Sequence, residues 1–126
     1  MPKTIIISIH PEYAEKILTG EKTYELRTRL PHDKPERIII YATAPVSAVV
    51  GTAEIADMFD LPLTELWKRV RKSACVTLDD FHAYFRRSDT GKAFVLKNPV
   101  RFPSPIPIAS YGLKKAPQSW QYLAEA

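Results

Sequence analysis

The sequence predicts an α+β fold, a small and mostly antiparallel β-barrel with inserted helices. Short β-branched or apolar runs recur along the chain, among them TIIISI, RIIIYA and KAFVL; several are flanked by proline or glycine, as strands are. Segments with helical spacing are inserted between those runs. Gly51 falls inside the long run SAVVGTAEIADM, where a strand curling into a barrel needs a bulge or a sharp bend. At 126 residues the chain makes one domain, large enough to bury a core without disulfides or a metal.

Taken in order, Thr4 to Ile9 reads as a buried strand. His10 and Pro11 open a helix, since proline is comfortable in a first turn; Tyr13, Ala14, Ile17 and Leu18 share one face, and Gly20 stops it. From Tyr24 the period becomes two: Tyr24, Leu26, Thr28 and Leu30 point one way, Glu25, Arg27 and Arg29 the other. Pro31 to Pro35 interrupts, Arg37 to Ala42 is a second buried strand, Pro45 marks a connection, and Ser47 to Met58 is a long strand.

The middle of the chain is helical. Leu63, Leu66, Trp67 and Val70 fall at helical spacing, with Lys68, Arg69, Arg71 and Lys72 towards solvent. Thr77 caps a second helix, with Asp79 and Asp80 in its first turn and Leu78, Phe81, His82 and Phe85 as its apolar stripe. Both are expected to cover the sheet or barrel. Strands resume at Lys92 to Leu96 and at Val100 to Ala109, where Pro103, Pro105 and Pro107 lack ladder donors and require an edge or rim. Residues 1–112 thus form the domain, and 113–126 a tail with a short helix from Gln118 to Ala124, packed on the same domain.

Composition narrows the function classes. With 45% hydrophobic and 25% charged residues and no apolar run long enough to span a bilayer, the chain reads as a soluble globular protein with no membrane partner. Its N-terminal apolar run is short and β-branched and lacks a small-residue cleavage site, so a cytoplasmic location is expected. The single Cys75 cannot form an internal disulfide and reads as a buried or partly buried thiol. His10, His32 and His82 are scattered, and neither a metal nor a cofactor is expected. Four widely separated glycines make no phosphate-cradling loop. The net charge of +4 is concentrated late, with Lys92, Lys97, Arg101, Lys114 and Lys115 against the single acid Glu125 in the last third. That excess suits a polyanion, because neutralised phosphates release counterions; it equally suits a solubilising surface.

The densest chemistry is in GEKTYELRTR, Gly20 to Arg29. Glu25 and Arg27 share a strand face at roughly 7 Å, and Lys22 lies in the preceding turn. A carboxylate between two cations holds both in place and leaves spare donors for a phosphate or a base carbonyl. Alternatively the same three residues form an exposed ion cluster of little energetic value, the ordinary outcome for exposed charges, and spacing alone favours that reading.

Gly20, Lys22, Glu25 and Arg27 match GxKxxExR, which resembles the signature of the ASCH (ASC-1 homology) domain of the PUA-like superfamily. HPEYAEKILTG resembles that family's first helix, RIIIYATAPVSAVVGTAEI its following strand pair, and YF and GKAFVL its closing strands, so the resemblance spans most of residues 4–110. It implies a PUA-like β-barrel that binds RNA or a nucleotide, or an extruded or free nucleobase, in a cleft lined by Lys22, Glu25 and Arg27. Tyr41 and Thr43 would add stacking and hydrogen bonding. It also implies an enzymatic alternative with Lys22 as the catalytic group: a hydrolase acting on RNA, or one removing the acetyl group of N4-acetylcytidine. In that amidohydrolase branch a threonine stands where this chain has Glu25, and the acid comes from the middle section, where Glu54, Glu65, Asp79 and Asp80 are candidates. A protein-interaction module of transcription or translation, using the proline-rich edge at 103–107, is a further alternative. Trp120 is expected to pack the tail or to cover the cleft.

Overall fold

The structure, a computed structural model, describes residues 3–123. Its elements are β1 (Thr4–Ile9), α1 (Pro11–Thr19), β2 (Tyr24–Arg27), β3 (Arg37–Ala42), β4 (Ala48–Pro62), α2 (Leu63–Val70), α3 (Leu78–Tyr84), β5 (Thr90–Ile106), a 3-10 turn (Ile108–Tyr111) and β6 (Trp120–Tyr122). The strands form one six-stranded sheet in the order β2-β5-β4-β3-β1-β6. Among the described residues only the β1–β3 pairing is parallel. The expected barrel is thus a half-barrel, a mixed sheet with β2 and β6 at its edges.

Side-chain alternation explains the sequence of β1 and β3. Ile5, Ile7, Ile9, Ile38, Ile40 and Ala42 face the main core, which Ala14 and Ile17 of α1 help to fill. Ile6 and Ile39 face the other way, under Ile108, Tyr111 and Leu113. Both strands are buried on two sides, and so their sequences are continuously apolar. At the β2 end of the sheet, Leu66 and Val70 of α2 and Phe81 of α3, with Phe85 just beyond it, bury a second core against Ala93, Tyr24 and Leu26. The two helices do cover the sheet. Leu78 is 43% exposed and His82 is also exposed, so the stripe expected on α3 narrows to Phe81 and Phe85. These two are one turn apart, and a seven-residue helix presents no wider face to the core.

Several boundaries differ from expectation. β2 stops at Arg27, short of the Leu30 to which the alternation extends. The strand expected to end at Met58 runs on to Pro62, because Phe59 and Leu61 find the second core. The two strands expected after residue 92 are one, β5, kinked where Asn98 takes φ 49°. Asparagine tolerates this left-handed backbone. β5 lies between β2 and β4 only as far as Val95; beyond that it pairs with β4 alone, so Pro103 and Pro105 occupy an edge, as their missing donors require. The tail supplies a strand instead of a helix: Trp120–Tyr122 pairs antiparallel with the free side of β1, where unpaired ladder groups were available. Ala124 and Glu125 lie outside the described residues. Trp120 packs in the core, donates its Nε1–H to the Arg29 carbonyl at 3.0 Å and carries the Arg29 guanidinium 4.1 Å above its ring.

Gly51 does mark a bulge, with the β4–β5 register shifting between Val49 and Gly51. The reason is close approach: a Cβ there would collide with the Val100 carbonyl oxygen and lie 2.6 Å from Leu18 Cδ2. Gly51→Ala is therefore expected to cost about 1–3 kcal/mol through overpacking. An unchanged thermal midpoint would contradict the crowding.

Candidate functional site

β2 and the β1–β6 pair lie at opposite edges of the sheet, and among the described residues no backbone ladder joins them. Arg27 spans the gap instead. From β2 its Nη2 donates to the Ser8 carbonyl on β1 at 2.9 Å, and its Nη1 donates to Ser119 Oγ at 3.0 Å. Ser8 is in turn tied to the tail, its amide donating to the Ser119 carbonyl at 2.9 Å and its hydroxyl to the Pro117 carbonyl at 2.7 Å. Beside this strap lies a cleft of about 400 Å³, large enough for a small polar ligand. Ser8, His10 and Tyr13 form one wall, Asp80, Phe81 and Tyr84 of α3 the other; Lys22, Glu25 and Arg27 also line it, together with Thr43.

Local structure explains how the charged row is positioned. Gly20 ends α1 in the left-handed conformation (φ 89°), and the chain doubles back so that the Lys22 amide donates to the Lys16 carbonyl at 3.0 Å. The Thr23 amide then bonds the Ser73 carbonyl at 2.9 Å, stitching the turn to the segment after α2. Lys22 is only 3% exposed and Glu25 6%, so the row is a buried network and not a solvated cluster. Lys22 Nζ donates to the Ala74 carbonyl, stands 3.7 Å from Glu25 Oε1 and lies 5.0 Å over the Tyr13 ring. The other carboxylate oxygen, Oε2, accepts from Arg27 Nη2 at 2.5 Å and Nε at 3.2 Å.

Glu25 does bridge the two cations, but the spare donors are fewer than expected. A guanidinium has five N–H groups; Arg27 commits four of them, to Glu25, Ser8 and Ser119. Arg27 is mainly a strap, while Lys22 is the most deeply buried of the three. Burial pushes the Lys22 pKa below the ordinary lysine value; Glu25 and the nearby Cys75 oppose that shift and Arg27 adds to it. Desolvation also raises the pKa values of Tyr13 and Tyr84 above the ordinary tyrosine value.

Of the other anticipated residues, Thr43 lines the cleft and Tyr41 does not. Tyr41 packs against the cluster of Ile6, Ile39 and Val49 on the far face. Alternation along β3 sends position 41 away from the face that Ile40 and Ala42 occupy, whereas Thr43 lies beyond the strand and escapes that constraint. Among the candidate acids only Asp80 lines the cleft; Glu54 instead bonds Asn98 at 2.9 Å. Cys75 is partly buried, with its Sγ 3.7 Å from the Glu21 carbonyl. The late basic residues do not line the cleft either: Lys92 pairs with Asp60 at 3.2 Å and Arg101 with Glu15 at 2.7 Å. Sequence reasoning missed His10, Tyr13 and Tyr84 as cleft residues. Tyr13 lies on the apolar face of α1, which passes from core to cleft at its N-terminal end; Asp80 and Tyr84 are one turn apart on α3, a spacing that signals a shared face.

Among the described residues no three His, Cys, Asp or Glu side chains gather as metal ligands would, and no helix is long and apolar enough to cross a membrane.

An α+β half-barrel of this kind, with a cleft at its open seam, has the PUA-like fold. The chain belongs to the ASCH domain family, whose model matches residues 7–108. It is 35% identical over 102 residues to an ASCH domain-containing ribonuclease of Zymomonas mobilis, a match covering 79% of this chain and 69% of that protein. A crystal structure of the ASCH protein from Zymomonas mobilis superposes with a TM-score of 0.90 at 31% identity, covering 98% of this chain and 89% of that one. Two further structures of that protein, each at 30% identity and a TM-score of 0.90, are single variants, one replacing a tyrosine by phenylalanine and one a serine by alanine. The chain is also 26% identical over 122 residues to the large ribosomal subunit protein uL22 of Ureaplasma parvum, of which it spans 39%.

Proposed function

We propose that this protein binds single-stranded RNA in the cleft and cleaves it, with Lys22 acting on the reacting atoms. The observation that carries the reading is a buried lysine with a lowered pKa lining a cleft of nucleotide size. The similarity to an ASCH domain-containing ribonuclease supports the substrate class. A cleft of this size suits a splayed nucleotide and excludes a duplex.

The reaction uses the substrate's own nucleophile. In its neutral form Lys22 takes the proton of a ribose 2′-hydroxyl; the resulting oxygen attacks the adjacent phosphorus, and the bond from phosphorus to the 5′ oxygen breaks. The products are a 2′,3′-cyclic phosphate and a 5′-hydroxyl, whose proton comes from a phenol held protonated, Tyr13 or Tyr84. Glu25 steadies Lys22 and Arg27 holds the seam closed. Thr43 and Ser8 offer hydrogen bonds to the sugar or base. The relatives' variants that lose a tyrosine and a serine hydroxyl favour attention to such groups, and this cleft carries Tyr13, Tyr84 and Ser8.

The test is incubation with end-labelled single-stranded RNA and with DNA of the same sequence. RNA should be cut to cyclic-phosphate ends and DNA, which lacks the 2′-hydroxyl, should survive. Intact RNA together with acetate release from N4-acetylcytidine would overturn this reading in favour of an amidohydrolase.

A further inference from the structure

Beyond the cleft, Tyr84 forms part of a second hollow of about 430 Å³, lined by Thr28, Ala83, Tyr84, Arg86, Arg87 and Ser88. Tyr84 is the residue common to both cavities and is 46% exposed, so one ring forms a wall between them. Arg27, in the cleft, and Thr28, in the hollow, are consecutive, which places the two cavities on either side of the free edge of β2. The hollow has the chemistry of an anion site. It has two guanidinium groups and the hydroxyls of Thr28 and Ser88, and among the described residues no carboxylate lines it. Neither arginine makes an ion pair or a side-chain hydrogen bond among the described residues, in contrast to Arg27 and Arg101. The turn that carries them is anchored: Phe85 is buried in the second core, and the Ser88 amide donates to the Phe85 carbonyl at 2.9 Å.

We propose that this hollow holds the backbone phosphate of the nucleotide adjoining the one in the cleft, with the RNA strand passing over the β2 edge along the face of Tyr84. The proposal rests on the RNA reading above and extends it: the substrate is a strand that continues past the cut, not a free nucleoside. Paired arginine forks and hydroxyls are the groups that hold phosphate oxygens, and an exposed aromatic face stacks a base of any sequence. The electrostatic attraction expected of the C-terminal third is thus supplied by two arginines just after α3.

The double variant Arg86→Ala with Arg87→Ala tests this. Binding of fluorescent, 2′-O-methylated and therefore uncleavable RNA, two and six nucleotides long, is titrated at several salt concentrations, and cleavage of an unmodified dinucleotide is followed in parallel. The wild type should bind the hexamer more tightly. The variant should lose about tenfold of that hexamer affinity and about 0.7 of the salt slope for the lost phosphate contact. Dinucleotide binding and cleavage and the thermal midpoint should stay unchanged. Unchanged hexamer binding would overturn the subsite, as would an equal loss for both lengths, which would mark general attraction only. If the wild type binds neither length, the RNA reading falls and the subsite with it.

Discussion

Lys22→Met is expected to reduce RNA cleavage by at least about 100-fold, the lower end of what a positioned proton-transfer group contributes, while the protein stays folded. Methionine fills most of the lysine's volume, and Glu25 keeps its bond to Arg27 at 2.5 Å, so no buried charge is left alone. The variant should also lose a pH signature. Because burial lowers the Lys22 pKa, the folded protein releases this proton at lower pH than the unfolded chain. Between the folded pKa and the ordinary lysine value of 10.5 the unfolded chain therefore binds more protons, and stability rises with pH. That stability is fully present above the unfolded value and is lost as pH falls through the folded one. Activity that needs neutral Lys22 should rise through the same window, with a midpoint below that of free lysine. Steady-state rates and denaturant midpoints across pH for the wild type and Lys22→Met check both. A wild-type profile as flat as the variant's would rule out Lys22 as the base.

Glu25→Ala is expected to be the most destabilising change in the site, by about 3–5 kcal/mol, because it strands a buried cation. Without the carboxylate, Lys22 keeps only the Ala74 carbonyl as a hydrogen-bond acceptor in a place where it is 3% exposed. Arg27 loses its shortest bond and retains Ser8 and Ser119. For a domain of this size the thermal midpoint should fall on the order of 10 °C, measured by circular dichroism. Glu25→Gln, which keeps the shape and an acceptor, should fall between the wild type and Glu25→Ala. A shift of only a degree or two for Glu25→Ala would mean that the row is solvated after all. Together the two variants would separate the proposed roles, chemistry for Lys22 and integrity of the site for Glu25.

The GxKxxExR residues were legible as one cluster because their spacing is local. A glycine that ends a helix and a strand with period two are enough to bring Lys22, Glu25 and Arg27 together. Their burial was not legible, since it depends on Ala74, four residues after α2, and on Ser119, at the far end of the chain. Tyr41 and Thr43 show the same limit. Two positions apart, they read alike in the sequence, and only the end of β3 at Ala42 separates a packed residue from a cleft residue.

The sequence by itself determined what local sterics and periodicity govern. It set the bounds of β1 and β3, the start and glycine stop of α1, the Thr77 cap that accepts from the Asp80 amide at 3.1 Å, and the bulge at Gly51. The tertiary structure decided the rest: how far the sheet wraps, one long β5 in place of two strands, and a tail that adds a strand where a helix was expected. The physical reason is that unpaired ladder groups and open seams are satisfied by whatever the fold brings near them. At this seam Arg27 and the tail meet that need across 92 residues of sequence, a separation that no local pattern encodes.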